Sequence, residues 1–389
     1  MSNVPKLRFK EFSGDWEEKT LKSISELISY GLTVRPEYIE NGIPLISARE
    51  LKGGRINYDM APKISENSYN ILSSKAKANK GDIFLTKTGT IGLSAYVDVD
   101  FPIAITQNIS VIRVDDKLYN HQFILQTFKT KQFNKHIMQK VNQSTIMDLQ
   151  LQDIRKSLIS LPQKLEQEKI ASFLTSVDTK IEQLTKKESL LQDYKKGVIQ
   201  KIFNQEIRFK DDDGSEFCEW EEKRLSTQCN IKKGSQLNKD TLTIEGNYPA
   251  LNGGINPSGY TTDWNTEINT ITISEGGNSC GFINFVKTRF WSGGHNYSLQ
   301  ELRKSVKVQY LYQYLKFNEK KVMRLRVGSG LPNIQKGEIS NFKVTLPCIE
   351  EQIKIANFLS SIDKKIENTK QELEKTKQFK KALLQQMFV

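Results

Sequence analysis

The sequence predicts an α+β chain built as a tandem repeat, with two mixed α/β globules, each followed by one long helix, and the two helices paired as a coiled coil. Three observations carry that expectation. A 22-residue segment occurs twice. Short β-rich runs with Gly and Asn punctuation fill the stretch ahead of each copy, and an apolar seam of helical period runs through each copy and the residues after it.

The repeat sets the frame. LPQKLEQEKIASFLTSVDTKIE, at residues 161–182, aligns without a gap to LPCIEEQIKIANFLSSIDKKIE, at residues 346–367, with 14 of 22 positions identical. Arg8, Phe9 and Lys10, with Trp16, Glu17, Glu18 and Lys19, return as Arg208, Phe209 and Lys210, with Trp220, Glu221, Glu222 and Lys223. One copy therefore ends near Asn204 and the next starts near Ile207. The expected division is a first globule at 1–160, its helix at 161–204, a second globule at 205–345 and its helix at 346–389.

In the first helix Ile170, Leu174, Val177, Ile181, Leu184, Leu191, Val198 and Ile202 fall on alternating steps of about three and four, with Glu188 and Lys195 as interruptions. The second repeats the seam with Ile355, Leu359, Ile362, Ile366, Leu373, Leu383 and Met387, interrupted by Thr369, Thr376 and Lys380. Pro162 and Pro347 stand just ahead, where proline ends a strand and spares the helix start. Each helix should run about 35 to 40 residues, or roughly 50 to 60 Å, the length of a spacer rather than a core element. An amphipathic helix lying on its own globule is the plainer reading. Two helices of matching sequence, each with one apolar stripe, bury those stripes best against each other.

The globules have a different texture. Residues 25–115 carry β-rich runs at 43–47, 82–86 and 103–114, and residues 225–300 do the same. Helical stretches come next at 120–141 and 306–326, then a short polar segment leading to the proline.

Composition narrows the function classes. The net charge of +12 and pI near 9.2 suit a polyanionic partner, because neutralising phosphates releases their counterions. Cys218, Cys229, Cys280 and Cys348 form no CxxC pair, which argues against a zinc ribbon or disulfide framework and for a reducing cytoplasm. The N-terminus lacks an apolar signal region, and no stretch approaches the roughly 20 apolar residues of a membrane span, so no membrane partner is expected. No GxxxxGK[ST], HExxH or GxGxxG occurs, nor an Asn-Pro-Pro-aromatic motif, and His121, His136 and His295 are scattered. No catalytic residue, metal site or bound cofactor is expected. An enzyme reading would need carboxylates such as Asp82, Asp98 or Glu275, and no recognisable spacing supports it.

Corresponding loops with different side chains are the candidate site. TKTGTIG at residues 86–92 follows IFL, and SEGGNSCG at 274–281 follows ITI. Gln107, Asn108, Ile109 and Ser110 match His295, Asn296, Tyr297 and Ser298. Gln143, Ser144, Thr145 and Ile146 with Asp148 answer Gly328, Ser329, Gly330 and Leu331 with Asn333. Such tips suit two readers of different base sequences, since base edges are read by Asn, Gln, Arg, Lys and Ser on well-placed backbone. Ordinary Gly-rich turns are the plain alternative. The candidate DNA contacts are Arg49, Lys87, Thr88, Thr90, Gln107, Asn108, Gln143, Ser144 and Thr145 in the first globule. In the second they are Asn252, Ser274, Asn278, His295, Asn296, Ser329 and Asn333. Lys87 stands out, placed to donate to a phosphate or a guanine edge.

A tandem repeat of variable globule and LPxxxEQxKIAxFLxSxDxKIE resembles the specificity subunit of type I restriction–modification enzymes across almost the whole chain. The EQxKIAxFL run, at 166–174 and 351–359, is the most specific part, and GDIFLTKTGTIG from Gly81 is also like the family's recognition domains. The resemblance implies antiparallel helices and a pseudo-two-fold relation between two target recognition domains. Each would read one half of a split double-stranded DNA target, with helix length fixing the gap, as dimer geometry fixes half-site separation elsewhere. It also implies two adenine methyltransferase subunits that use S-adenosylmethionine and, when present, two restriction translocase-nuclease subunits. Subunit docking would use Glu166, Gln167, Phe173, Leu174, Glu351, Gln352, Phe358 and Leu359. Extruding an adenine costs a few kcal/mol, so this chain's part would be grip and positioning. With the second helix running to Val389, the resemblance implies that any contacts relatives make through a further C-terminal segment would have to come from the arm at residues 1–15. The rival reading is a coiled-coil adaptor with two protein-binding globules and no salt-dependent DNA affinity.

Overall fold

Two helices, Lys164–Phe203 of 40 residues and Ile349–Gln386 of 38, dominate the computed structural model, which describes residues 3–32, 36–141, 147–328, 330 and 332–389. Their length and starting points match the seam and the prolines. The chain divides into two compact units, Met1–Thr185 with Gln371–Val389, and Lys186–Lys370, so each unit takes the head of one helix and the tail of the other. This cuts across the linear division at 161, 205 and 346.

In the first unit an antiparallel four-stranded sheet runs in the order Ser94–Tyr96, Ile83–Thr86, Ile109–Val114, Ser25–Tyr30. A five-stranded sheet pairs Ile43–Ile46 in parallel with Ile103–Ile105. The run at 103–114 is therefore two strands in two sheets, parted by a turn at 106–108. The recurring Trp-Glu-Glu-Lys opens a strand, Glu17–Thr20, which pairs antiparallel with Leu158–Leu161 just ahead of the proline. Helices His121–Phe128 and Lys131–Met138 replace the single stretch expected at 120–141. Thr130 breaks it, its hydroxyl accepting from Phe133 N as the second helix's cap.

The second unit repeats this plan. Its four-stranded sheet runs Asn230–Lys233, Asn296–Gln300, Thr270–Ser274, Ile283–Val286. Tyr248–Leu251 pairs in parallel with Trp291–Ser292, and Glu221–Arg224 pairs with Lys343–Leu346. Helices Val308–Phe317 and Glu319–Met323 part at Asn318.

Within each unit the helix segments pack antiparallel. In the first, Asp178 meets Lys380 and Lys180 meets Glu372; in the second, Lys195 meets Asp363. The seam also joins the globule, which corrects the expectation of a spacer outside the core. Ile170, Leu174, Val177, Leu383 and Met387 share a core with Trp16, Phe123 and Phe128. Ile202, Phe203, Ile355, Leu359 and Ile362 share one with Leu225, Tyr310 and Leu315. Each such fully buried side chain contributes about 1.5–3 kcal/mol, so these helix segments are part of what holds each globule together.

The EQ pairs correct a second expectation. Glu166, Gln167, Leu174, Glu351, Gln352 and Leu359 are all buried, and a partner subunit cannot touch them. Glu166 accepts a bidentate Arg8 at 2.7 and 2.8 Å, and Glu351 accepts Arg208 at 2.9 Å and Trp220 Nε1 at 3.0 Å. Gln167 accepts from Asn120 N and donates to Pro162 O; Gln352 accepts from Lys307 N and donates to Pro347 O. Phe173 and Phe358 are half-buried, edge-on to Phe9 and Phe209. The arm also has its counterpart, because Leu7 N donates to Gln386 O as Ile207 N does to Lys201 O.

Candidate nucleic-acid interface

Three loops that the sequence leaves far apart converge in each unit through matching backbone bonds. In the first, Lys87 N donates to Asn108 O at 2.9 Å, Leu149 N to Lys87 O at 2.8 Å and Gly89 N to Met147 O at 2.9 Å. In the second, Glu275 N donates to His295 O at 2.9 Å, Ile334 N to Glu275 O at 2.8 Å and Gly277 N to Pro332 O at 3.0 Å. The strand ladders make Thr86 face Ile109 and Ser274 face Asn296. Asn108 therefore corresponds to His295, one residue off the sequence match, and in a strand a slip of one exchanges the faces.

On this common backbone the side chains differ in kind. Tyr30, Lys87 and Asp148 in the first unit occupy the positions of Lys233, Glu275 and Asn333 in the second. Lys87 Nζ lies 2.8 Å from Asp148 Oδ1 and over the Tyr30 ring, and Thr88 donates to the same oxygen at 2.6 Å. Burial pushes the Asp148 carboxyl up, but the hydrogen bonds from Lys87 and Thr88 and the lysine's charge outweigh it and hold it below its ordinary range. In the second unit Lys233 Nζ lies 2.5 Å from Glu275 Oε1, which also accepts from Tyr297 at 2.9 Å. His295 Nδ1 stands 3.4 Å from Oε2. Burial again pushes the carboxyl up, and the bonds from Lys233 and Tyr297 bring it below its usual value.

Several expected contacts need correction. Ser274 and Asn296 are buried, donating to Gly253 O and to Ser292 Oγ at 3.1 Å, so neither reaches a base. Lys87 and Thr88 are committed to Asp148, and Asn252 Oδ1 accepts from His295 N at 3.1 Å. Asn108 and Asn333 are half-buried and serve through their backbones. Arg49, Thr90, Gln107 and Asn278 are exposed and free to meet a ligand, and His295 is exposed with its Nδ1 facing Glu275. Gln143, Ser144, Thr145 and Ser329 lie outside the described residues. The carboxylates of the enzyme reading sit apart, Asp82 bound by Arg113 at 2.8 Å and Asp98 by Tyr58 at 2.9 Å.

A basic helix flanks each loop. Gly92, at φ +86°, packs on Lys131–Met138, and a Cβ there would lie 2.7 Å from Asn134 Oδ1. Gly281, at φ +85°, packs on Glu319–Met323, where a Cβ would lie 2.7 Å from Met323 Cα. Lys131 and Lys135 in the first unit, and Lys320, Lys321, Arg324 and Arg326 in the second, are exposed, and none is ion-paired among the described residues. The runs KTKQFNKHIMQK and EKKVMRLR carried this signal as charge patterning. Among the described residues no group of three His, Cys, Asp or Glu could hold a metal, and no helix is long and apolar enough to cross a membrane.

Two units that share one loop framework and carry two sets of polar tips make this a tandem-repeat protein with two variant copies of one candidate site. The chain belongs to the type I restriction modification DNA specificity domain family, which it matches twice, at residues 13–192 and 218–378. It is similar to a protein of Mycoplasma pneumoniae provisionally named a type I specificity subunit, 31% identical over 171 residues, 43% of this chain and 45% of that one. The matched stretch thus spans less than half of that relative. The type I restriction enzyme MjaIX specificity subunit of Methanocaldococcus jannaschii is 23% identical over 404 residues, 95% of this chain and 92% of that one. Among solved structures, the S subunit of a type I restriction–modification system from M. genitalium superposes with a TM-score of 0.71 at 20% identity, over 99% of both chains. At that identity the likeness establishes the fold.

Proposed function

We propose that each unit reads one half of a bipartite double-stranded DNA target, as the non-catalytic specificity subunit of a type I restriction–modification complex. The observation that carries this reading is the exchange of Tyr30, Lys87 and Asp148 for Lys233, Glu275 and Asn333 on one backbone framework. The basic helices supply sequence-independent grip on phosphate, and the exposed loop tips supply the base contacts. Two methyltransferase subunits, and two translocase-nuclease subunits when present, dock on exposed faces of the long helices. S-adenosylmethionine belongs to the methyltransferase, and this chain binds no cofactor. The complex works in the cytoplasm. Co-expression with the methyltransferase subunit, followed by mapping of adenine methylation, tests the proposal. A motif of two short blocks around a fixed gap is expected. An assembled complex supplied with S-adenosylmethionine that marks no motif would favour the adaptor reading.

A further inference from the structure

The interruptions of the apolar seam repeat with the same atoms. Asp178 Oδ1 accepts from Lys380 Nζ at 2.5 Å and Oδ2 from Gln126 Nε2 at 2.9 Å. Asp363 Oδ1 accepts from Lys195 Nζ at 2.5 Å and Oδ2 from Gln313 Nε2 at 2.9 Å. Each aspartate thus joins three elements of its unit, namely its own long helix, the opposite one and the globule helix, His121–Phe128 or Val308–Phe317. Gln126 and Gln313 are buried at 1% and 3% exposure, so the hubs reach into the globule cores.

Stability is a weak explanation for them. A partly buried ion pair replaced by apolar side chains is often neutral or stabilising, and its best-attested use is fixing register. An apolar seam of heptad period tolerates a slide of seven residues, because leucines then meet other leucines. A slide would leave Asp178 and Asp363 without their lysines. The surrounding charges differ between the units, since Lys129 stands 3.6 Å from Asp178 whereas Lys316 is paired to Glu319 at 2.5 Å. The three-way hub is what the two share.

We propose that Asp178 and Asp363 are positioning residues that index each recognition unit to the helix pair and so hold the target's gap at a single length. This rests on the half-site reading, and its test has one arm that does not. In the full chain Lys180 and Glu372 form a cross-helix ion pair at 2.8 Å. Lys180 and Phe379 line one groove between the helix segments of the first unit, so Lys180→Cys with Phe379→Cys reports the native register through a short bis-maleimide, and Lys180→Cys with Gln386→Cys reports a slide of one heptad. The hubs are replaced by Leu at 178, 195, 363 and 380, and separately by the isosteric Asp178→Asn with Asp363→Asn, which preserves shape should the first fail to fold. The expected result is a roughly tenfold rise in the slid cross-link relative to the native one, equivalent to about 1.4 kcal/mol of lost discrimination. The methylated motif of the assembled complex should also acquire gaps absent from the unaltered one. Native cross-linking alone in both variants would overturn the proposal. Failure of the half-site reading would appear in the unaltered complex as the absence of any split motif, with the cross-links still deciding the role of the hubs.

Discussion

Arg8→Met should destabilise the first unit heavily, because it strands a carboxylate. Glu166 is 1% exposed, and its two oxygens accept from Arg8 Nε and Nη2 at 2.8 and 2.7 Å. Removing one partner of a buried pair costs about 3–5 kcal/mol. For a unit of this size, at about 2–4 °C per kcal/mol, the melting temperature should fall by roughly 6–20 °C. Arg208→Met should cost less, since Glu351 keeps its bond from Trp220 Nε1 at 3.0 Å. Trp16 Nε1 makes no such bond among the described residues. Arg8→Met combined with Glu166→Leu should regain most of the loss. Calorimetry on the four chains of that double-mutant cycle, with Arg208→Met beside them, is the assay. An Arg8→Met chain melting within a degree or two of the parent, or one less affected than Arg208→Met, would refute the reasoning.

Burial, aided by Lys380 and opposed by Asp178, pushes the Lys129 ammonium down to about 8. The folded chain then sheds a proton that the unfolded chain keeps to about pH 10.4, so stability should rise with pH from about 8 to 10, by at most roughly 1.4 kcal/mol per unit, and Lys129→Met should flatten that slope in melts across the range. Gly281→Ala should lower the melting temperature more than Gly277→Ala, because both have positive φ but only Gly281 meets backbone, at Met323 Cα. It should also weaken DNA binding by moving the basic helix. Neutralising Lys320, Lys321, Arg324 and Arg326 together should reduce the slope of log affinity against log salt by up to about 0.9 for each phosphate left unneutralised, measured by titration on cognate DNA at several salt concentrations.

The long helices were legible because their signal is local and doubled, with a proline, a seam and a 22-residue segment that recurs with 14 positions identical. Lys195 and Lys380 looked like flaws in that seam because their aspartates lie 168 and 202 residues away in the chain. The loops of the candidate site could be picked out by their glycines and their recurrence, and they do converge. Which tips face outward was not legible. Ser274 and Asn296 have the chemistry of base readers but are consumed by bonds inside their own unit, and the glutamines of the EQ pairs turn inward for the same reason. Sequence states what a side chain can bond to, and only packing states whether that bond has already been made.

The most direct test of the central claim is to exchange residues 25–160 for those of a relative with a different target and map methylation again in the assembled complex. That segment holds the first unit's loops and basic helix but neither long helix. One block of the motif should change while the other block and the gap stay as they were. A change in both blocks, or in neither, would contradict the assignment of one half-site to each unit.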